Sequence, residues 1–203
     1  MKSIFFIFTI LVFSQKTVAH PVIWKGGTVL SFRNTELMND YRVHYSVTQY
    51  RSHGIHYIKI GQKDYAMIQN NFLLKRWNQL ESQGNFYLSV GLGANLKISE
   101  ETIGHSGLQA DWETRLLYTQ VSFDHYKKKD SLSILRGRIG LSPYLADFED
   151  IHTWIILQLT HQIQKNRYNK TIMPVVRLFK GNILVELASN FTNDYLLTIM
   201  IHY

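Results

Sequence analysis

Eight ionisable side chains fall at places where the flanking pattern puts them on one side of a strand: Arg42, Asp111, Glu113, Arg115, Arg136, Arg138, Arg177 and Glu186. Charges of both signs held close together pair, so one reading is a salt-bridge core that plugs an enclosed interior. The Arg excess gives a second reading, a selectivity ring that passes small solutes, anions among them. A further set, His20, His44, Met200 and His202, offers nitrogen and sulfur donors of the kind copper and other soft metals accept. A cut after Ala19 would make His20 N-terminal, where its amine and imidazole could chelate Cu(II) together, although Pro21 has no amide hydrogen to give up. No pair in that set has ligand spacing within one strand. The neighbours His105 and Ser106 carry the atoms of a base and a nucleophile, but adjacent residues on a strand point to opposite faces and cannot share a proton. No acid or oxyanion donor stands beside them, so no catalytic residue and no cofactor are expected. The chain has no Cys, which excludes thiol chemistry and thiolate metal sites.

Alternation is what positions these residues. Tyr41, Val43, Tyr45 and Val47 oppose Arg42, His44, Ser46 and Thr48. Leu108, Ala110 and Trp112 oppose Gln109, Asp111, Glu113 and Arg115, and Leu135, Ile139 and Leu141 oppose Arg136 and Arg138. Ile183, Val185 and Leu187 oppose Glu186. Strict alternation is the mark of strands with unlike faces. The pattern predicts an all-β protein, a closed antiparallel transmembrane β-barrel of about 12 strands, with about 10 as the alternative if the segments near 69–77 or Pro174 are miscounted. A soluble sandwich or lipocalin-like barrel would turn the apolar faces inward, and the charges confined to one face argue against it. Trp77, Trp154, Tyr195 and Tyr203 are expected at the membrane interfaces, where an amphipathic ring is stable.

The first residues read as a secretory signal: Lys2, an apolar run over 4–13 that is too short to span a bilayer as a helix, and small residues ending at Ala19. The expected division is a signal peptide over 1–19 and one barrel domain over 20–203. Removing Lys2 and Lys16 with the leader, which holds no acid, takes the net charge from +7 to +5. That charge is scattered, and Lys127, Lys128 and Lys129 fall between strand-like segments, so no nucleic-acid partner is expected. The chain is rich in aromatics yet near neutral in hydropathy, which a membrane protein built of helices could not be.

Across nearly the whole mature chain the sequence resembles a family of small uncharacterised outer-membrane β-barrel proteins of Gram-negative bacteria. The resemblance is carried by His20, Pro21 and Val22 with Lys25, Gly26 and Gly27; by Leu73 to Asn78; by Pro143, Tyr144, Leu145 and Ala146; by His152, Thr153 and Trp154; and by the ending Met200, Ile201, His202 and Tyr203. The last strand, with apolar residues at alternate places before a terminal aromatic, resembles the signal read by the barrel-insertion machinery. The resemblance implies the fold and the cell outer membrane, with lipid and that machinery as partners, and it implies no activity. The expectation is therefore a monomeric barrel acting as a narrow pore or a small-solute binding protein of the cell envelope. An outer-membrane lipid hydrolase and a copper-handling protein using His20 are the alternatives.

Overall fold

A computed structural model of the chain describes residues 20–98, 100–147, 150–165, 167–192 and 194–203. The expected leader lies outside the described residues. Those described form twelve strands: β1 (Thr28–Thr35), β2 (Met38–Thr48), β3 (Arg51–Ile60), β4 (Lys63–Asn78), β5 (Ser82–Asn95), β6 (Thr102–Thr114), β7 (Leu117–Lys127), β8 (Leu132–Leu141), β9 (His152–Gln164), β10 (Arg167–Lys180), β11 (Ile183–Ser189) and β12 (Tyr195–His202). Each pairs antiparallel with the next, and β1 pairs with β12 to close the barrel. Closure gives every strand a hydrogen-bonded neighbour on both sides over at least part of its length, the condition under which strands can stand in lipid. Glycines in left-handed geometry, Gly61 and Gly181, make the tight β3–β4 and β10–β11 turns.

The wall follows the two-residue period. Val43, Ile55, Ile68, Leu92, Val121 and Ile155 point outward and are exposed, while Asp111 and Arg138 are buried inside. The outward charges Arg51, Lys59, Asp64, Lys75, Lys127, Lys170 and Lys180 all lie near strand ends, leaving a charge-free apolar band between two mainly basic fringes. Such a band is stable against lipid and not against water.

Two irregularities set the inward and outward phases where sequence alone left them open. A bulge in β4 between Leu73 and Lys75 resets the alternation, so Leu73 and Arg76 face inward while Trp77 faces out and is exposed. Pro174 pairs with Leu157 of β9, but the β10–β11 ladder extends only to Val175, so the proline sits where β10 has one partner.

The interior is less uniformly ionised than the alternation suggests. Met38, Ile58, Ile60, Tyr65, Met67, Ile103, Tyr126, Leu132 and Ile134 form one buried apolar cluster, and Tyr118, Trp154, Ile156, Met173, Val175 and Leu196 form another. Both are inside the ring, so the barrel encloses a core as well as charges.

Candidate functional site: the lumen and its loop-end cavity

Halfway along the axis, strands β8, β10 and β11 bring three buried charges together. Glu186 accepts from Arg138 Nη1 at 3.0 Å and from Arg177 Nε at 2.8 Å. Arg138 Nε also donates to Gln158 Oε1 at 2.7 Å, and Gln158 donates onward to Thr160. The Arg177 guanidinium lies 4.2 Å from the centre of the Tyr118 ring, which meets Trp154 edge-on. With Glu186 only 2% exposed, this is a desolvated network whose members depend on one another.

A second network crosses β2, β3 and β4. Arg42 is bound to Asp40, and His56 Nδ1 stands 3.9 Å from the other oxygen of that carboxylate. The ring nitrogens of His44 and His56 approach to 2.6 Å, and Asn71 bridges from His44 to Ser52. Gly54 leaves the room this pair needs, because a Cβ there would collide with the His44 ring. On β6 to β8, Asp124 joins His105 at 3.0 Å and Arg136 at 3.7 Å.

The end of the barrel that carries the termini is filled by the segment 20–27. Val22 is fully buried against Leu73 and Tyr87, and His20 is buried between Asn85 and Asp111, with its Nδ1 3.9 Å from the carboxylate. The segment is tied down by Ser52 Oγ donating to the Pro21 carbonyl at 2.8 Å and by Ile23 N donating to Ser46 Oγ at 3.1 Å.

At the opposite end the lumen opens into a cavity of about 340 Å³. Gln164, Asn169 and Asp194 stand at its mouth, and Arg136, Gln158 and Met173 lie further in along their strands. Arg33 of β1 also lines it, and its Nε is buried with no hydrogen-bond partner among the described residues. Among the described residues Arg33 forms no ion pair either, and Glu186 and Asp40 act on it only from a distance.

The strand register puts Arg42, Asp111, Glu113, Arg136, Arg138, Arg177 and Glu186 on inward positions, in separate groups rather than one ring. Arg115 is a correction. It stands exposed in the two-residue turn between β6 and β7, where the alternation of the strand has ended. Trp154 is a second correction, being inward and 9% exposed instead of anchored at an interface. The apolar run Trp154, Ile155, Ile156 and Leu157 has no phase of its own, and the polar Gln158 and Thr160 fix the even positions inside. Trp77, Tyr195 and Tyr203 are exposed.

The proposed metal donors do not converge. His44 is taken up by His56 and Asn71, and His202 is buried with both ring nitrogens unpartnered. No group of three or more His, Asp or Glu able to hold a metal ion occurs among the described residues. Met200 faces inward opposite Ser31, and His105 pairs with Asp124 while Ser106 faces out. Arg33, Asp40, His56 and Asp124 take part in the lumen chemistry without having been singled out in the sequence. Asp40 sits two places before Arg42 on the same face, a signal that could have found it.

No protein-family model and no curated protein matches the chain. Among solved structures, a KdgM porin superposes with a TM-score of 0.52 over 87% of this chain and 98% of the porin, at 11% identity. A KdgM porin in complex with disordered oligogalacturonate gives 0.51 over 87% and 98%, at 12% identity. At such identity the likeness is one of fold. Taken with the apolar outer wall, it gives this chain the fold of a transmembrane β-barrel, the fold the KdgM porins share.

Proposed function

We propose that the protein is a narrow, monomeric barrel of a Gram-negative outer membrane that takes a small acidic solute into its loop-end cavity. At rest, in this reading, passage onward is closed by the mid-lumen network and the segment 20–27. The observation that carries the reading is the pair Arg33 and Arg136 among the polar side chains Gln158, Thr160, Gln162 and Asn169, with the two acids of the cavity, Glu36 and Asp194, hydrogen-bonded to each other. A half-buried guanidinium without a carboxylate partner, as at Arg33, favours an anion, and flanking amides and hydroxyls supply hydrogen bonds to the rest of a polar ligand. Because one structural neighbour holds oligogalacturonate, a carboxylate-bearing sugar chain, uronic-acid oligomers are the first class to test. The termini would face the periplasm, with the leader removed after Ala19 and the last strand read during insertion.

The test is uptake into vesicles carrying the refolded full barrel, comparing digalacturonate with a neutral disaccharide of the same size. The acidic sugar should enter faster, and Arg33→Gln with Arg136→Gln should reduce that preference by roughly tenfold, the scale of one or two charge-assisted hydrogen bonds. Equal uptake of both sugars, or a preference untouched by the double substitution, would overturn the proposal.

A further inference from the structure

The barrel wall is uneven at the cavity end. A strand needs about 9–11 residues to cross the hydrocarbon when tilted, yet β11 has 7 residues and β1 and β12 have 8 each, whereas β10 has 14. The β9–β10 ladder continues up to Arg167, opposite Gln164. The β10–β11 ladder covers only Val175 to Lys180, so among the described residues 167–174 are paired on one side alone. Across that gap, among the described residues, runs a side-chain hydrogen bond from Thr171 Oγ1 to Asp194 Oδ2 at 3.2 Å. Unpaired backbone facing hydrocarbon is costly unless something covers it.

The two sides of the gap differ in chemistry. Tyr168, Ile172, Leu187 and Phe191 are exposed on the lipid side. Thr171 and Met173 on one lip and Tyr195 and Leu196 on the other line the cavity, which holds Arg33 and Arg136. Of these cations Arg33 has no ion partner, and Arg136 has only Asp124 at 3.7 Å. The acids at the mouth are occupied. Asp194 accepts from Asn190 at 2.7 Å, and its hydrogen bond with Glu36 raises the carboxyl of the latter above the usual carboxylate range.

We infer that this gap is a lateral doorway between the cavity and the bilayer, and that the cavity binds a single-chain anionic lipid. The head group meets Arg33 and Arg136, and the chain lies out between β10 and the tip of the β11–β12 hairpin, covering the open edge. An apolar slot leading to Arg33 and Arg136 matches an amphiphile better than a fully water-soluble ligand. The inference shares the cavity with the proposed pore but does not need any solute to cross the barrel.

The experiment uses the full barrel refolded in neutral detergent and measures retained lipid by native mass spectrometry. The probes are palmitoyl lysophosphatidylglycerol and, as zwitterionic control, palmitoyl lysophosphatidylcholine. The anionic lipid should be retained at one per barrel and the control should not. Arg33→Gln with Arg136→Gln should abolish the difference. Since the chain has no Cys, Thr171→Cys with Asp194→Cys gives a clean staple across the gap. Oxidised, it should expel the lipid, and reduction should restore retention, which shows that the barrel is intact. Equal retention of both lipids, or retention by the oxidised staple, overturns the doorway. Sugar uptake in vesicles is a separate readout, so loss of acid preference with lipid retention intact would sink the pore reading alone.

Discussion

The residue with most depending on it is Glu186. It is the shared, buried acceptor of two arginines. Arginine suits such a site because its planar fork can satisfy a carboxylate while a further N–H reaches Gln158 or the charge stacks on Tyr118. Glu186→Gln keeps the shape and removes the charge, leaving Arg138 and Arg177 buried against a neutral amide. The expected loss of stability is about 3–5 kcal/mol, read as a lower urea midpoint for the barrel in vesicles. Replacing all three residues by apolar side chains of similar volume should cost less than that single change, since no charge is then stranded. If Glu186→Gln leaves the midpoint where it was, the network does not stabilise the lumen.

At the scale of elements, the loop acids Glu101 and Asp130 at the cavity end are pinned to the first residues of β4 and to the β9–β10 turn. Glu101 accepts from Lys63 Nζ at 2.7 Å and from Tyr65 at 3.0 Å, and Asp130 meets Lys165 at 2.7 Å. The hydrogen bond from Lys63 holds the Glu101 carboxyl below its ordinary range, and that from Lys165 does the same for Asp130. A carboxylate depressed in the folded state contributes stability that is complete above its unfolded pKa and disappears as pH falls through the folded value. The temperature at which the barrel loses its compact, fast-migrating form in SDS gels should therefore drop between neutral pH and pH ~3. Glu101→Gln should start lower at neutral pH and fall less, and an unchanged slope would rule out this anchor. Elements were also where the sequence was most and least readable. Parity was legible wherever one face was polar, as in β2, β7, β8 and β12. It was not legible in β9, where both faces are apolar around Trp154, nor in β4, where a bulge shifts the phase between Leu73 and Lys75. The faces of β11 are legible in Ile183, Val185 and Leu187 against Glu186, whereas its shortness is not, because alternation gives the phase of a strand and not where its pairing stops.

For the whole molecule the open question of plug against pore turns on the segment 20–27, whose burial no periodicity announces. A segment without alternation can be assigned to an interior only once the size of the space it enters is known, and twelve strands leave more room than their own side chains fill. The wall is a closed ladder of backbone hydrogen bonds that does not use residues 20–23, whereas those residues supply Val22 and Ile23 to the axis. Burying Val22 contributes about 2 kcal/mol, enough to hold the segment in and small enough to be released. Val22→Asp should then eject the segment without opening the barrel: heat-modifiable migration should persist while single-channel conductance in planar bilayers rises. Ile23→Ala should act in the same direction and more weakly, because the ties to Ser46 and Ser52 remain. Should both variants conduct no more than the parent, the segment is not the closure, and the block lies at mid-lumen, where the Arg138, Glu186 and Arg177 group with its Gln158 partner spans four strands of the ring.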